Sequence, residues 1–154
     1  QIELLERAAA ECGLFVDDIV TAGSSLGAYP AMHSVGCAYE EYGIKTDCVL
    51  SLDAGSDWME AELLLSEEQC RETAELGTEF YLFESPWVGM NRDGIRLMVN
   101  TGNKVTMVGC VFDDHVRISL DALGMGVVAW AIGDRSSPCN PDIYDFTPLS
   151  PTQN

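Results

Sequence analysis

Positive charge is scarce in this chain: Lys and Arg total 8 against 25 Asp and Glu, a formal net charge of -17 over 154 residues. So acidic a molecule repels phosphate backbones and anionic headgroups at long range, which argues against nucleic acid as a partner. No uninterrupted apolar run approaches the ~18 residues that a membrane-spanning helix needs, and no basic leader with a cleavage site is visible. Neither a membrane span nor a signal peptide is therefore read. The 6 cysteines include no C-x-x-C pair, so zinc-ribbon and thioredoxin spacings are both absent and no metal site is implied. Cys48 and Cys110 fall inside apolar stretches, where a free thiol behaves as a small hydrophobe. That usage fits a reducing compartment, and a cytoplasmic location is expected. No G-x-G-x-x-G and no Walker lysine follows the first apolar strand, so no nucleotide or other cofactor is implied.

What the chain does have is apolar content, 47% of residues, enough for one substantial core and one domain. Ile2, Leu4, Leu5, Ala8, Ala9 and Cys12 share one face of an opening helix, and a chain that begins in this way at Gln1 is read as the C-terminal part of something longer. Ile19-Val-Thr-Ala-Gly makes a first short buried strand. Residues 28 to 42 give a helix capped by Gly43, and Thr46 to Leu52 a second strand. Residues 59 to 76 read as one helix or two short ones, with a good N-terminus at Ser66 followed by Glu67, Glu68 and Gln69 and a stop at Gly77, and Glu79 to Phe83 is the third strand. A helix over Asp93 to Val99 and a turn at Thr101-Gly-Asn lead into a fourth strand from Val105 to Phe112. Val116, Leu120, Leu123, Val127 and Trp130 then recur at helical spacing.

Strands alternating with helices imply βαβ units, and hence an α/β fold with a parallel sheet of about four strands and helices on both faces. The expected division is a domain over residues 1–133 and a proline-rich tail over 134–154, a packed extended arm or a disordered end. Acidic residues crowded between Asp53 and Glu84 read as a solvated face, and Met59 to Leu76 is a candidate lid.

The chemistry concentrates at Gly23-Ser-Ser-Leu-Gly27, a G-x-S-x-G that joins an apolar strand to a helix. Glycines on either side let the two segments approach closely, so that Ser25 projects from the end of the sheet. His115 lies far downstream, directly after the fourth strand, with carboxylates at strand ends between. A serine hydroxyl becomes a useful nucleophile when an imidazole takes its proton, and the imidazole needs a carboxylate to fix its tautomer. His33 sits within the helix after the turn and reads as structural. Asp113 and Asp114 lack a second histidine that would make a metal site with His115. Trp58, Trp87 and Trp130 read as core or rim packing.

In these features residues 1–133 resemble the α/β-hydrolase family, from the helix before its nucleophile strand onward. The resemblance implies Ser25 as nucleophile, His115 as general base and the Leu26 N–H as one oxyanion donor. It puts the acid after the strand next but one from the turn, which selects Glu84. Asp53 and Asp57 follow the intervening strand and remain alternatives, as does Asp93. The implied activity is hydrolysis of an ester, thioester or amide on a small acyl substrate. The competing reading is a noncatalytic binding or assembly module on the same scaffold. The chain departs from the family pattern in three ways: Pro30 stands early in the helix, Ala28 follows Gly27, and the strands that ordinarily precede the turn are missing. The first strand is then a bare sheet edge, which an N-terminal half, a second chain or a homodimer is expected to cover.

Overall fold

The computed structural model describes residues 7–8, 10–13, 19–54, 65–85, 92–110 and 144–150. Its centre is a sheet in which β1 (Val20–Ser24), β2 (Cys48–Leu52), β3 (Glu79–Glu84) and β4 (Lys104–Cys110) run parallel and adjacent in chain order. The helices α1 (Ala28–Tyr42), α2 (Glu67–Leu76) and α3 (Arg92–Asn100) connect them. This is the α/β fold with a four-strand parallel sheet that the alternation predicts, and the three helices that link its strands lie on one face of it. Strands added in one direction by right-handed crossovers put successive helices on the same face. Accordingly all three helices share one core with Val49, Phe80, Leu82, Val105 and Met107, which the register aligns in two rows. On the opposite face Leu50, Leu52, Tyr81, Phe83 and Val108 are also buried. A parallel sheet shielded on both faces explains why β2 and β3 read as continuous apolar runs instead of alternating.

Local signals set the element ends. Pro30 falls in the first turn of α1, where its missing N–H has no partner to lose. The irregular start that it foreshadows is a 3₁₀ turn at Ser25–Gly27 running straight into α1. Gly43 closes α1 in the left-handed region (φ 68°), and the Ile44 N–H returns to the Ala38 carbonyl at 3.2 Å. At the start of α2, Ser66 Oγ accepts from the Gln69 N–H at 3.2 Å and Gln69 Oε1 accepts from the Ser66 N–H at 2.9 Å, a reciprocal cap.

Two expectations need adjustment, and the tail takes, over its described residues, one of its two expected forms. Part of the tail joins the sheet: β5 (Tyr144–Pro148) pairs antiparallel with β4, and its proline stands at the strand's last position, where a missing N–H is tolerated. The second half of the candidate lid is core instead, because Leu65, Cys70 and Thr73 are buried among α1 and α3. Ala8 and Cys12, assigned to an apolar face, are exposed. Cys48 and Cys70 are buried free thiols, and burial pushes the Cys70 thiol up. Among the described residues no helix is long and apolar enough to cross a membrane.

One buried side chain ties α2, α3 and β4 together. Asn103 donates through Nδ2 to the carbonyls of Cys70 (2.7 Å) and Met98 (3.1 Å), and its Oδ1 accepts from Thr73 Oγ1 (2.8 Å). Each group left unpaired in such a place costs about 1–3 kcal/mol. Asn103→Ala is therefore expected to lower the unfolding free energy by roughly 2–4 kcal/mol, measured by urea titration, and unchanged stability would refute the assignment.

Candidate active site

The register ends all four parallel strands on one rim. Ser24, Leu52, Phe83 and Val108 form a matched row, and the next residue on each strand begins the carboxyl edge. Ser25, Asp53 and Glu84 are those residues on the first three. With parallel strands about 4.8 Å apart, Ser25 and Asp53 leave neighbouring strands and Glu84 leaves the one beyond.

Ser25 adopts φ 54°, a left-handed conformation that is rare for a residue with a side chain. Its carbonyl already accepts from the Ala28 N–H, so the chain reverses within one 3₁₀ turn. The reversal is tight enough that a Cβ on Gly23 would lie 2.0 Å from the Gly27 carbonyl oxygen. Nothing lies within 4 Å of the corresponding point on Gly27, which has an ordinary helical φ of -69°. The first glycine of the motif is thus fixed by contact and the second is not. Leu26 is 57% exposed, and among the described residues no side chain caps the turn or the helix that follows. The first backbone N–H groups of a helical start have no partner within the helix. Among the described residues no hydrogen-bond partner engages the Ser25 hydroxyl.

Asp53 departs from the solvated acidic face that the sequence suggests. It is fully buried, and its φ of 52° makes it the second left-handed side-chain residue on this rim. Its N–H donates to the Phe83 carbonyl at 2.9 Å, and its Oδ1 accepts from the Ser85 N–H at 2.9 Å. Ser85 is itself buried, and its hydroxyl has no partner among the described residues. Tyr29, in the first turn of α1, donates its hydroxyl to the Ala54 carbonyl at 3.2 Å, which fastens the helix after the serine to the exit of β2. Burial pushes the Tyr29 phenol up, so it stays protonated and able to donate.

Glu84 is partly buried and receives Arg92 Nη2 on both carboxylate oxygens, at 2.7 and 2.6 Å. Arg92 opens α3, so this pair joins that helix to the exit of β3. Asp93 points elsewhere: its side chain is 90% exposed and pairs with Arg96 at 3.0 Å along the helix surface. His115 and Asp57 lie outside the described residues, as do Trp58, Trp87, Trp130, Asp113 and Asp114. The structure thus brings Ser25, Asp53 and Glu84 to one rim and leaves Asp93 on a helix surface. His33 meets Gln69 of α2 at 3.2 Å, a contact between helices in keeping with a structural role. Sequence reading missed Arg92, Tyr29 and Ser85. Of these only Arg92 carries a usable signal, as one of few cations, close after Glu84.

The asymmetry between the two glycines is directly testable. Gly23→Ala is expected to destabilise the fold by more than about 3 kcal/mol or to prevent folding, because the new methyl meets backbone. Gly27→Ala should stay within about 1 kcal/mol of the parent. Chemical denaturation of both variants checks this, and equal effects would contradict the contact geometry. No family model matches this chain, and no curated protein matches it.

Proposed function

We propose that this chain is a serine hydrolase core that cleaves an ester, thioester or amide through an acyl-Ser25 intermediate. The observation that carries the reading is the left-handed Ser25, standing between the end of a parallel strand and a helix N-terminus, with Gly23 pressed against the Gly27 carbonyl. A non-glycine residue held in that region costs about 1–3 kcal/mol. Such strain persists where the surroundings over-determine it, and reactive positions are the usual setting.

In the proposed mechanism Ser25 Oγ attacks the substrate carbonyl carbon while His115 takes the hydroxyl proton. The new C–O bond and the displaced carbonyl electrons give a tetrahedral oxyanion, which the Leu26 N–H stabilises. Collapse breaks the bond to the leaving group, which departs with the proton from His115. Water, deprotonated by the same imidazole, then attacks the acyl-serine, releases the acid and restores Ser25. Glu84 is the carboxylate assigned to orient His115 and stabilise its charged form. Its paired contact with Arg92 supports that role by holding the carboxylate at the rim. The buried free thiols Cys48 and Cys70 support a cytoplasmic setting. β1 is the least buried of the parallel strands, with Ala22 exposed at its centre, which supports an added strand along its outer edge.

A fluorophosphonate probe should label Ser25, and Ser25→Ala should lose at least about 10³-fold in ester hydrolysis while keeping its circular dichroism spectrum. A folded, unlabelled Ser25, or full activity in Ser25→Ala, would favour the binding-module reading.

A further inference from the structure

Two residues apart at the exit of β3, the Phe83 carbonyl and the Ser85 N–H are both held by Asp53, the first through its backbone N–H and the second through its carboxylate, each at 2.9 Å. Glu84 is the residue between them. We infer that Asp53 is a positioning residue for the hydrolytic reaction: it grips the chain on both sides of Glu84 and so aims that carboxylate, contributing geometry and not the charge that polarises the histidine. The inference rests on the serine hydrolase reading.

Several features converge on this role. Asp53 is fully buried and left-handed, so its side chain is directed across the sheet toward β3 instead of continuing β2. The Ser85 hydroxyl has no partner among the described residues, whereas the Ser85 backbone N–H donates to the Asp53 carboxylate. From the other side, the Tyr29 hydroxyl fixes the Ala54 carbonyl, which couples the grip to the helix that follows the Ser25 turn. Serine and carboxylate are thereby set relative to each other across three strands. Misplacement of a catalytic group by about 1 Å is enough to cost on the order of 100-fold.

Role and charge separate on substitution, because asparagine keeps an oxygen that can accept from the Ser85 N–H and alanine does not. In the full chain, hydrolysis of p-nitrophenyl acetate should stay within about threefold of the parent for Asp53→Asn. It should fall by about 100-fold in kcat for Asp53→Ala, with KM little changed, and by about 10⁴-fold for Glu84→Gln. The acid limb of the pH profile should stay in place in Asp53→Asn, since the carboxylate facing the imidazole is retained. A loss in Asp53→Asn as deep as in Glu84→Gln, with the acid limb moved to lower pH, would overturn the inference and make Asp53 the acid. Full activity in Asp53→Ala would overturn it too. If Asp53→Ala fails to fold, the comparison of Asp53→Asn with Glu84→Gln decides alone. Labelling of Ser25 by fluorophosphonate in the parent separates the two levels: an unlabelled parent ends the hydrolase reading and this inference together, whereas a labelled parent with an inactive Asp53→Asn ends only the inference.

Discussion

A single steric contact governs the rim: the chain turns back at Ser25 so sharply that Gly23 and the Gly27 carbonyl touch, with no room for one carbon atom between them. That contact requires β1 to end where it does and α1 to begin at once, and it leaves Ser25 no choice but a left-handed φ. The register then carries the constraint sideways. β1 is matched to β2, β2 to β3 and β3 to β4, so an end fixed on one strand fixes the level of the ends beside it. The rim is a consequence of the ladder, and the ladder is rigid because β2 and β3 are buried on both faces.

Left-handed residues at two adjacent strand ends need such a frame. Each costs about 1–3 kcal/mol, and each would relax if its strand frayed. Ser25 is restrained by backbone contact at Gly23. Asp53 is restrained by hydrogen bonds reaching to Phe83 and Ser85, on the strand whose core residues Phe80, Leu82 and Phe83 are almost wholly buried. The Asn103 knot performs the same service at the opposite end of the sheet, where α2, α3 and the start of β4 meet. Strain at one end is thus held by satisfied polar groups and packing throughout.

The parts of this design that are legible in the sequence are those with local causes. Gly43 and Gly77 announce helix ends, Ser66 with Gln69 announces a helix start, and apolar runs between them announce buried parallel strands. Ser25 is legible because two glycines flank it at a strand-to-helix junction. What sequence alone does not reveal is cross-strand pairing. Nothing local distinguishes Asp53 from the acidic residues that follow it, and its buried carboxylate accepts from the Ser85 N–H that lies 32 residues away in the chain. The same holds for Arg92 with Glu84, and for the Tyr29 hydroxyl on Ala54. The polar, proline-rich tail has no periodicity, so its pairing with β4 is set by an available edge and not by a pattern in the segment itself.

For the proposed chemistry, a chain of net charge -17 must still stabilise a developing oxyanion. The two demands are compatible because they act over different distances. Exposed carboxylates are screened over a Debye length of about 8 Å at physiological ionic strength, whereas a backbone N–H at a helix start acts at about 3 Å from a sheltered oxygen, where the effective dielectric is lower. The local charges also offset each other. Glu84 is matched by Arg92, one of 8 cations in the chain, and that pair lies at the site while Arg71 and Arg96 meet partners on helix surfaces. What the reaction would feel at Ser25 is therefore set by the uncapped turn and the neighbouring strand ends. The acidic surface would govern which substrates approach, favouring neutral or cationic acyl compounds over anionic ones.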